Sequence, residues 1–194
     1  MYLFLDSTFN LVLGVFTQEG HWLQYKKLET KKSSQIIHKE IFDLLESVSL
    51  NFGELNGVVY IAGPGSYTGM RVSEGIINIL EMEGISIFSF YHYEVPQILK
   101  ISNGAFYSKA FKKEFFVYAW NSLECGNKGL IAENDLEDKL ASYKRRFSME
   151  EIDNTVSTQE LIKKNILQVY EYVMKSKSRV PLYYYRSLEE EFKV

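Results

Sequence analysis

Val58-Val59-Tyr60-Ile61-Ala62-Gly63-Pro64-Gly65-Ser66-Tyr67-Thr68-Gly69-Met70-Arg71-Val72 decides the reading of this chain. Its first five residues are an unbroken apolar run, the pattern of a strand buried on both faces in a parallel sheet. The glycines that follow permit positive φ and close backbone approach. Ser66 and Thr68 are residue types that cap helices. A helix is predicted from about Arg71 to Glu83, stopped at Gly84, and Ile85-Ser86-Ile87-Phe88 resumes a strand. Strand, loop, helix and strand make a βαβ unit, whose crossover is almost always right-handed.

Two readings of the glycine loop stand at this level. One is a tight strand-to-helix turn. The other is a ligand or partner site, because a helix N-terminus offers free N–H groups and partial positive charge. Known chemical loops do not match. A P-loop needs Lys after its last Gly, where this chain has Met70. The dinucleotide fingerprint needs Gly where Thr68 stands. A hydrolase elbow around Ser66 needs glycines at the positions of Pro64 and Thr68.

Outward from this unit, the first thirty residues read as an antiparallel meander: Tyr2–Leu5, Leu11–Thr17 and Trp22–Leu28, with Asp6-Ser7-Thr8 and Gln18-Glu19-Gly20 as turns. A helix follows, capped by Ser33 or Ser34, with Ile36, Ile37, Ile41, Leu44, Leu45 and Val48 on one face. A short helical start lies near Tyr91. Strands are predicted at Ala105–Tyr107 and Glu114–Trp120, a turn around Cys125-Gly126-Asn127-Lys128, a helix over Ala132–Leu140 and a loop over Arg146–Thr155. A last helix, capped by Ser157 or Thr158, carries Leu161, Ile162, Ile166, Val169, Tyr170, Val173 and Met174 on one face. No repeat recurs at a period of 20–50 residues.

Composition narrows the function classes. The net charge of -3, from 22 basic and 25 acidic residues, gives no electrostatic reason for direct nucleic-acid binding. The basic spots Lys31–Lys32, Lys112–Lys113 and Lys144–Arg145–Arg146 read as solvated surface. Cys125 is the single cysteine, so an internal disulfide is excluded, which fits a reducing, cytoplasmic setting. The N-terminus lacks the pattern of a signal peptide, and no apolar stretch nears the ~20 residues that span a bilayer, so no membrane partner is expected. His21, His38 and His92 lack metal-ligand spacing, and no metal is expected. Asp6 has two readings, a turn-forming acid or a water-mediated Mg²⁺ holder.

Gly63-Pro64-Gly65-Ser66-Tyr67-Thr68-Gly69-Met70-Arg71-Val72, within Val58–Gly75, resembles the TsaB (YeaZ) family. That family's pattern is a strand followed by Gly-Pro-Gly-Ser-Phe-Thr-Gly-Val-Arg-Ile. Tyr67, Met70 and Val72 are conservative exchanges. Tyr2–Thr8 resembles the family's opening strand and its Asp-Thr-Ser turn. Pro181-Leu182-Tyr183 with Arg186 resembles its C-terminal Pro-x-Tyr-Leu-Arg element. Lys109–Tyr118 replaces the Asp, Arg and Gly of a later family strand, and the stretch 126–155 matches little.

The resemblance implies an α/β, actin/Hsp70-like (ASKHA, ribonuclease H-like) fold in two lobes, divided as 1–95 and 96–194. It implies a non-catalytic subunit in tRNA threonylcarbamoyladenosine modification, with a TsaD-like catalytic partner, a TsaE-like ATPase, and tRNA met only through the complex. A homodimer is the alternative assembly. No cofactor is implied for the isolated chain, with ATP or ADP at the complex interface. The implied docking residues are Gly63, Pro64, Gly65, Ser66, Tyr67, Thr68, Gly69, Arg71, Val72, Ile76 and Ile79. Arg71 either pairs across that interface or makes a local salt bridge. Asp6, Ser7 and Thr8 would be a vestigial nucleotide and Mg²⁺ site. The competing readings are an active kinase or ATPase of the same fold, using Asp6 and the glycine loop, and an unrelated interaction domain.

Overall fold

Along the first strand, β1 (Tyr2–Asp6), successive side chains enter two different cores. Leu3 and Leu5 join one cluster, Tyr2 and Phe4 the other. This period of two, with both faces buried, forces a helical layer on each side of the sheet. In the computed structural model, which describes residues 1–30, 33–177 and 179–185, both layers are present. The basic spot Lys31–Lys32 and the Arg186 of the C-terminal element lie outside the described residues.

β2 (Leu11–Phe16) and β3 (Trp22–Leu28) complete the expected antiparallel meander with β1. β4 (Gly57–Ile61) and β5 (Ser86–Phe90) add in parallel, giving the order β3-β2-β1-β4-β5. Two helices connect these strands. α1 (Ser33–Ser47) buries Ile37, Ile41, Leu44 and Leu45, and α2 (Tyr67–Met82) buries Ile76, Ile77 and Leu80, all on the Leu3/Leu5 face. Each such side chain contributes about 1.5–3 kcal/mol on burial. The helix α2 begins four residues before the predicted start. The Ser66 hydroxyl accepts from the Gly69 N–H, and this cap with the first turn's packing outweighs the weak helix propensity of Thr68 and Gly69.

After the short α3 (Val95–Ile98), a second sheet repeats the same plan. β6 (Gly104–Lys109), β7 (Glu114–Trp120) and β8 (Gly126–Ala132) form an antiparallel meander. β9 (Arg146–Ser148) lies parallel to β6, and β10 (Val156–Ser157) parallel to β9. The order β10-β9-β6-β7-β8 is the first sheet's order with each strand replaced by its equivalent. Two lobes of one topology make the actin/Hsp70-like architecture. The copies differ in their crossovers. α4 (Leu136–Leu140) stands where α1 does, whereas an irregular segment, 149–155, replaces α2.

Three expectations need correction. Gly126-Asn127-Lys128 is strand rather than turn. β8 is an edge strand with mostly exposed residues, so partnership with β7 decides its conformation rather than its weak β-propensity. Arg146–Ser148 is strand rather than loop, because three residues are too few to show alternation. The last helix is two, α5 (Thr158–Lys164) and α6 (Ile166–Ser176), interrupted at Asn165, whose side-chain amide donates to the Leu161 carbonyl at 2.8 Å.

The division at residue 95 falls between the sheets, but the later chain does not stay with the second. Ile162, Ile166, Val169, Tyr170 and Val173 of α5 and α6 pack beneath the first sheet on the Tyr2/Phe4 face. The strap 179–185 then crosses both lobes. Arg179 binds Glu81, Asn78 and the Tyr60 hydroxyl, the Tyr183 N–H donates to the Ala62 carbonyl at 2.8 Å, and the Tyr185 hydroxyl meets the Ser108 hydroxyl at 2.7 Å. No helix among the described residues is long and apolar enough to cross a membrane.

Candidate functional site

The glycine loop lies against the turn that ends β1. The Ser66 N–H donates to the Thr8 carbonyl at 2.6 Å. A Cβ on Gly65 would stand 2.3 Å from that same carbonyl oxygen, and one on Gly69 2.3 Å from the Ser7 carbonyl oxygen. Side chains do not approach backbone so closely, which explains glycine at both positions. Gly63, at φ 121°, passes under Tyr183 of the strap, and its carbonyl accepts from the His92 N–H at 2.9 Å. The tight-turn reading thus accounts for the loop's glycines through contacts inside the chain.

Beneath the loop is a buried polar network that joins five segments of the chain. Asp6 is fully buried. Its Oδ1 accepts from the Thr8 N–H at 2.9 Å and the Thr8 hydroxyl at 2.6 Å, and its Oδ2 accepts from Gln159 Nε2 at 2.9 Å and His92 Nε2 at 3.2 Å. His92 Nδ1 meets the Thr158 hydroxyl at 2.9 Å, and that hydroxyl reaches the Ser148 carbonyl at 3.3 Å. Ser7 closes onto Ser73 of α2 at 2.6 Å. Burial pushes the Asp6 carboxyl upward, but the neighbouring His92 and the hydrogen bonds from His92 and Thr8 outweigh it and hold the carboxyl below its usual range. Contacts from within the chain thus reach both Asp6 oxygens, and His92 Nε2 is shared between Asp6 Oδ2 and the Thr8 hydroxyl, 2.9 Å away. Asp6, Ser7 and Thr8 form a turn tied by hydrogen bonds to His92, Ser73 and Gln159. The turn also satisfies the other reading of Asp6, since the Asp6–Thr8 bonds bridge two residues.

Sequence reasoning gave no site role to His92, Gln159 or Glu150, and read Thr158 only as a candidate helix cap. Their separations from Asp6 exceed eighty residues, so no local spacing signals them. Gln159 Oε1 is buried without a hydrogen-bond partner. Among the described residues no group of three His, Cys, Asp or Glu is placed to hold a metal ion. Cys125 is exposed on the surface, and His21 and His38 are exposed as well.

Above the network, a cleft of about 430 Å³ opens between the lobes, lined by Gly65, Ser66 and Tyr67 on one side and Lys109, Phe111 and Glu150 on the other. Glu150 is buried and accepts from the Lys109 N–H at 2.7 Å. Burial holds its carboxyl above the usual range, against the opposing effects of that hydrogen bond and the Lys109 charge.

The second candidate surface is the outer side of α2. Ile76 is turned into the chain's own core and Val72 packs partly against it. Thr68, Arg71, Gly75, Asn78, Ile79 and Met82 face outward, with Ile79 61% and Met82 86% exposed. Nothing lies within 4 Å of where a Gly75 Cβ would be. Arg71 makes a local ion pair with Glu74 at 3.7 Å and its guanidinium lies 5.8 Å from the Tyr67 ring centre. Of the eleven residues expected at a docking surface, Thr68, Arg71 and Ile79 are on this outer side and Val72 is half-buried at its edge. Gly63, Pro64, Gly69 and Ile76 are buried, and Gly65, Ser66 and Tyr67 border the cleft.

No protein-family model matches this chain, and no curated protein matches it. Solved structures do. An uncharacterized Pseudomonas aeruginosa protein with similarity to peptidase YEAZ superposes with a TM-score of 0.64 at 14% identity, covering 94% of this chain and 98% of that one. YeaZ from Pseudomonas aeruginosa superposes with a TM-score of 0.62, also at 14% identity and with the same coverage. At that identity the likeness is one of fold, and over nearly its whole length this chain is folded as YeaZ is.

Proposed function

We propose that this chain is a TsaB-type, non-catalytic subunit that docks through the outer side of α2 onto a TsaD-like catalytic subunit in tRNA threonylcarbamoyladenosine modification. The carrying observation is that side: an apolar step formed by Ile79 and Met82 on adjacent turns, one turn beyond the bare backbone of Gly75, on a helix whose opposite side is fully committed to its own core. Exposed apolar side chains at helical spacing, next to a residue that admits close approach, suit a helix-on-helix contact. A stable interface needs about 800 Å² per partner, which α2 with its neighbouring helix and loop could supply. The YeaZ fold supports the assignment of the partner. The contacts from within the chain on both Asp6 oxygens favour a scaffold over a kinase or ATPase. In this reading a TsaE-like ATPase, ATP or ADP and tRNA are met only by the complex, and a homodimer through the same side forms when the catalytic subunit is absent.

The test is co-purification of the full chain with the TsaD-like subunit from the same organism. Ile79→Asp combined with Met82→Asp is expected to leave unfolding within about 0.5 kcal/mol per site, as for exposed positions, while abolishing association. Association at wild-type strength would refute the docking assignment.

A further inference from the structure

The inter-lobe cleft has a chemistry that the docking role does not use. Its walls are apolar and aromatic: Phe9 and Phe111, 43% and 55% exposed, with Tyr67, Met149 and Tyr185. Phe9 and Phe111 stand on the turns that follow β1 and β6, equivalent strands of the two lobes. The acid at its edge, Glu150, is only 8% exposed. Among the described residues its carboxylate has a hydrogen bond from the Lys109 N–H and no ion pair within 4.0 Å. Lys109 is the one basic residue lining the cleft, and its ammonium is not engaged with this carboxylate. A buried carboxylate whose nearest positive charge makes no ion pair with it is costly, and aromatic faces attract cations. The same lining is unfavourable to a phosphate, which would meet a carboxylate and no arginine.

We infer that the cleft binds a small organic cation, an alkylammonium or alkylguanidinium, with its charge on Glu150 and its stem between Phe9 and Phe111. The volume of about 430 Å³ is within the range of small-ligand sites. Because burial raises the Glu150 carboxyl, a bound cation would displace its proton, and affinity would fall as the pH is lowered.

The experiment is an amide-shift NMR titration of the full chain with agmatine, with butylamine to compare the two head groups and Mg-ATP as the anionic competitor. Saturable shifts are expected at Gly65, Ser66, Phe111 and Met149. Glu150→Gln keeps the acceptor for the Lys109 N–H but removes the charge, and should weaken agmatine about tenfold or more. Phe111→Ala, at an exposed rim that does not hold the fold, should weaken it a few-fold. Lys109→Met removes a like charge and should strengthen it a few-fold. Absence of saturable shifts up to about 10 mM agmatine overturns the inference. So does unchanged affinity in Glu150→Gln, or Mg-ATP binding that Lys109→Met weakens.

Discussion

Replacing Asp6 by Ala separates a structural acid from a catalytic one by the sign of its effect. In the native chain the carboxylate accepts four hydrogen bonds, from Thr8 twice, Gln159 and His92. Truncation leaves those donors facing a small void. Thr8 borders the cleft and can be rehydrated, whereas His92 is sealed and cannot. Hydrogen bonds to charged groups contribute about 1.5–3 kcal/mol each, but four on one group are not additive. Leaving buried donors without an acceptor costs about 1–3 kcal/mol each, and with Thr8 partly rehydrated about 3–5 kcal/mol in all sets the expectation. Against a total stability of about 5–15 kcal/mol this is a large fraction. At about 2–4 °C per kcal/mol for a chain of this size, Tm should fall by about 6–20 °C. Thermal unfolding followed by circular dichroism, with urea titration as a second measure, reads the change. The deficit should depend on pH. The Asp6 carboxyl lies lower in the folded chain than in the unfolded one, so its contribution is complete above about pH 4 and is lost as pH falls through the folded value. An acid held in place for a bound ion behaves oppositely, since removing it from the empty protein relieves strain and tends to stabilise. A Tm for Asp6→Ala equal to or above wild type would therefore refute the structural role of this network.

The glycines of α2 and its loop should divide by what surrounds them. Gly69→Ala sets a Cβ against the Ser7 carbonyl and should destabilise by about 1–3 kcal/mol in urea unfolding, whereas Gly75→Ala, in open space, should stabilise the free chain by up to about 1 kcal/mol while weakening co-purification with the partner. Glu150→Gln should raise Tm at pH 8, because a carboxyl whose folded pKa is raised favours the native state at low pH and penalises it as pH rises. That gain should vanish on acidification to the ordinary carboxylate range, as measured by Tm across pH.

The first lobe was legible because its signals are local. The apolar run Val58–Ala62, the cap at Ser66 and the stop at Gly84 each declare their state within a few residues. The second lobe was not. β9 is three residues long, β8 is an edge strand rich in Gly, Asn and Lys, and both are fixed by their neighbours rather than by their own side chains. The repeat of the sheet topology was equally hidden, since the two halves share strand order and direction without a shared sequence pattern. At the site, Asp6 and the glycine loop stood out by residue type. The groups that determine what Asp6 does, His92 and Gln159, come from segments 86 and 153 residues away. Packing also divides the residues proposed for docking: a helix with apolar residues on several sides shows its inward half only once the sheet beneath it is known.

The unequal crossovers of the two lobes bear on the proposed pairing of copies. A molecule that carried an outward helix on each half would offer two sticky ends and could string together without limit. Here the later half has the irregular segment 149–155 in place of that helix, so among the described residues the feature is not duplicated. If copies pair through the outer side of α2, as proposed, the same patch serves both molecules and the contact closes at two.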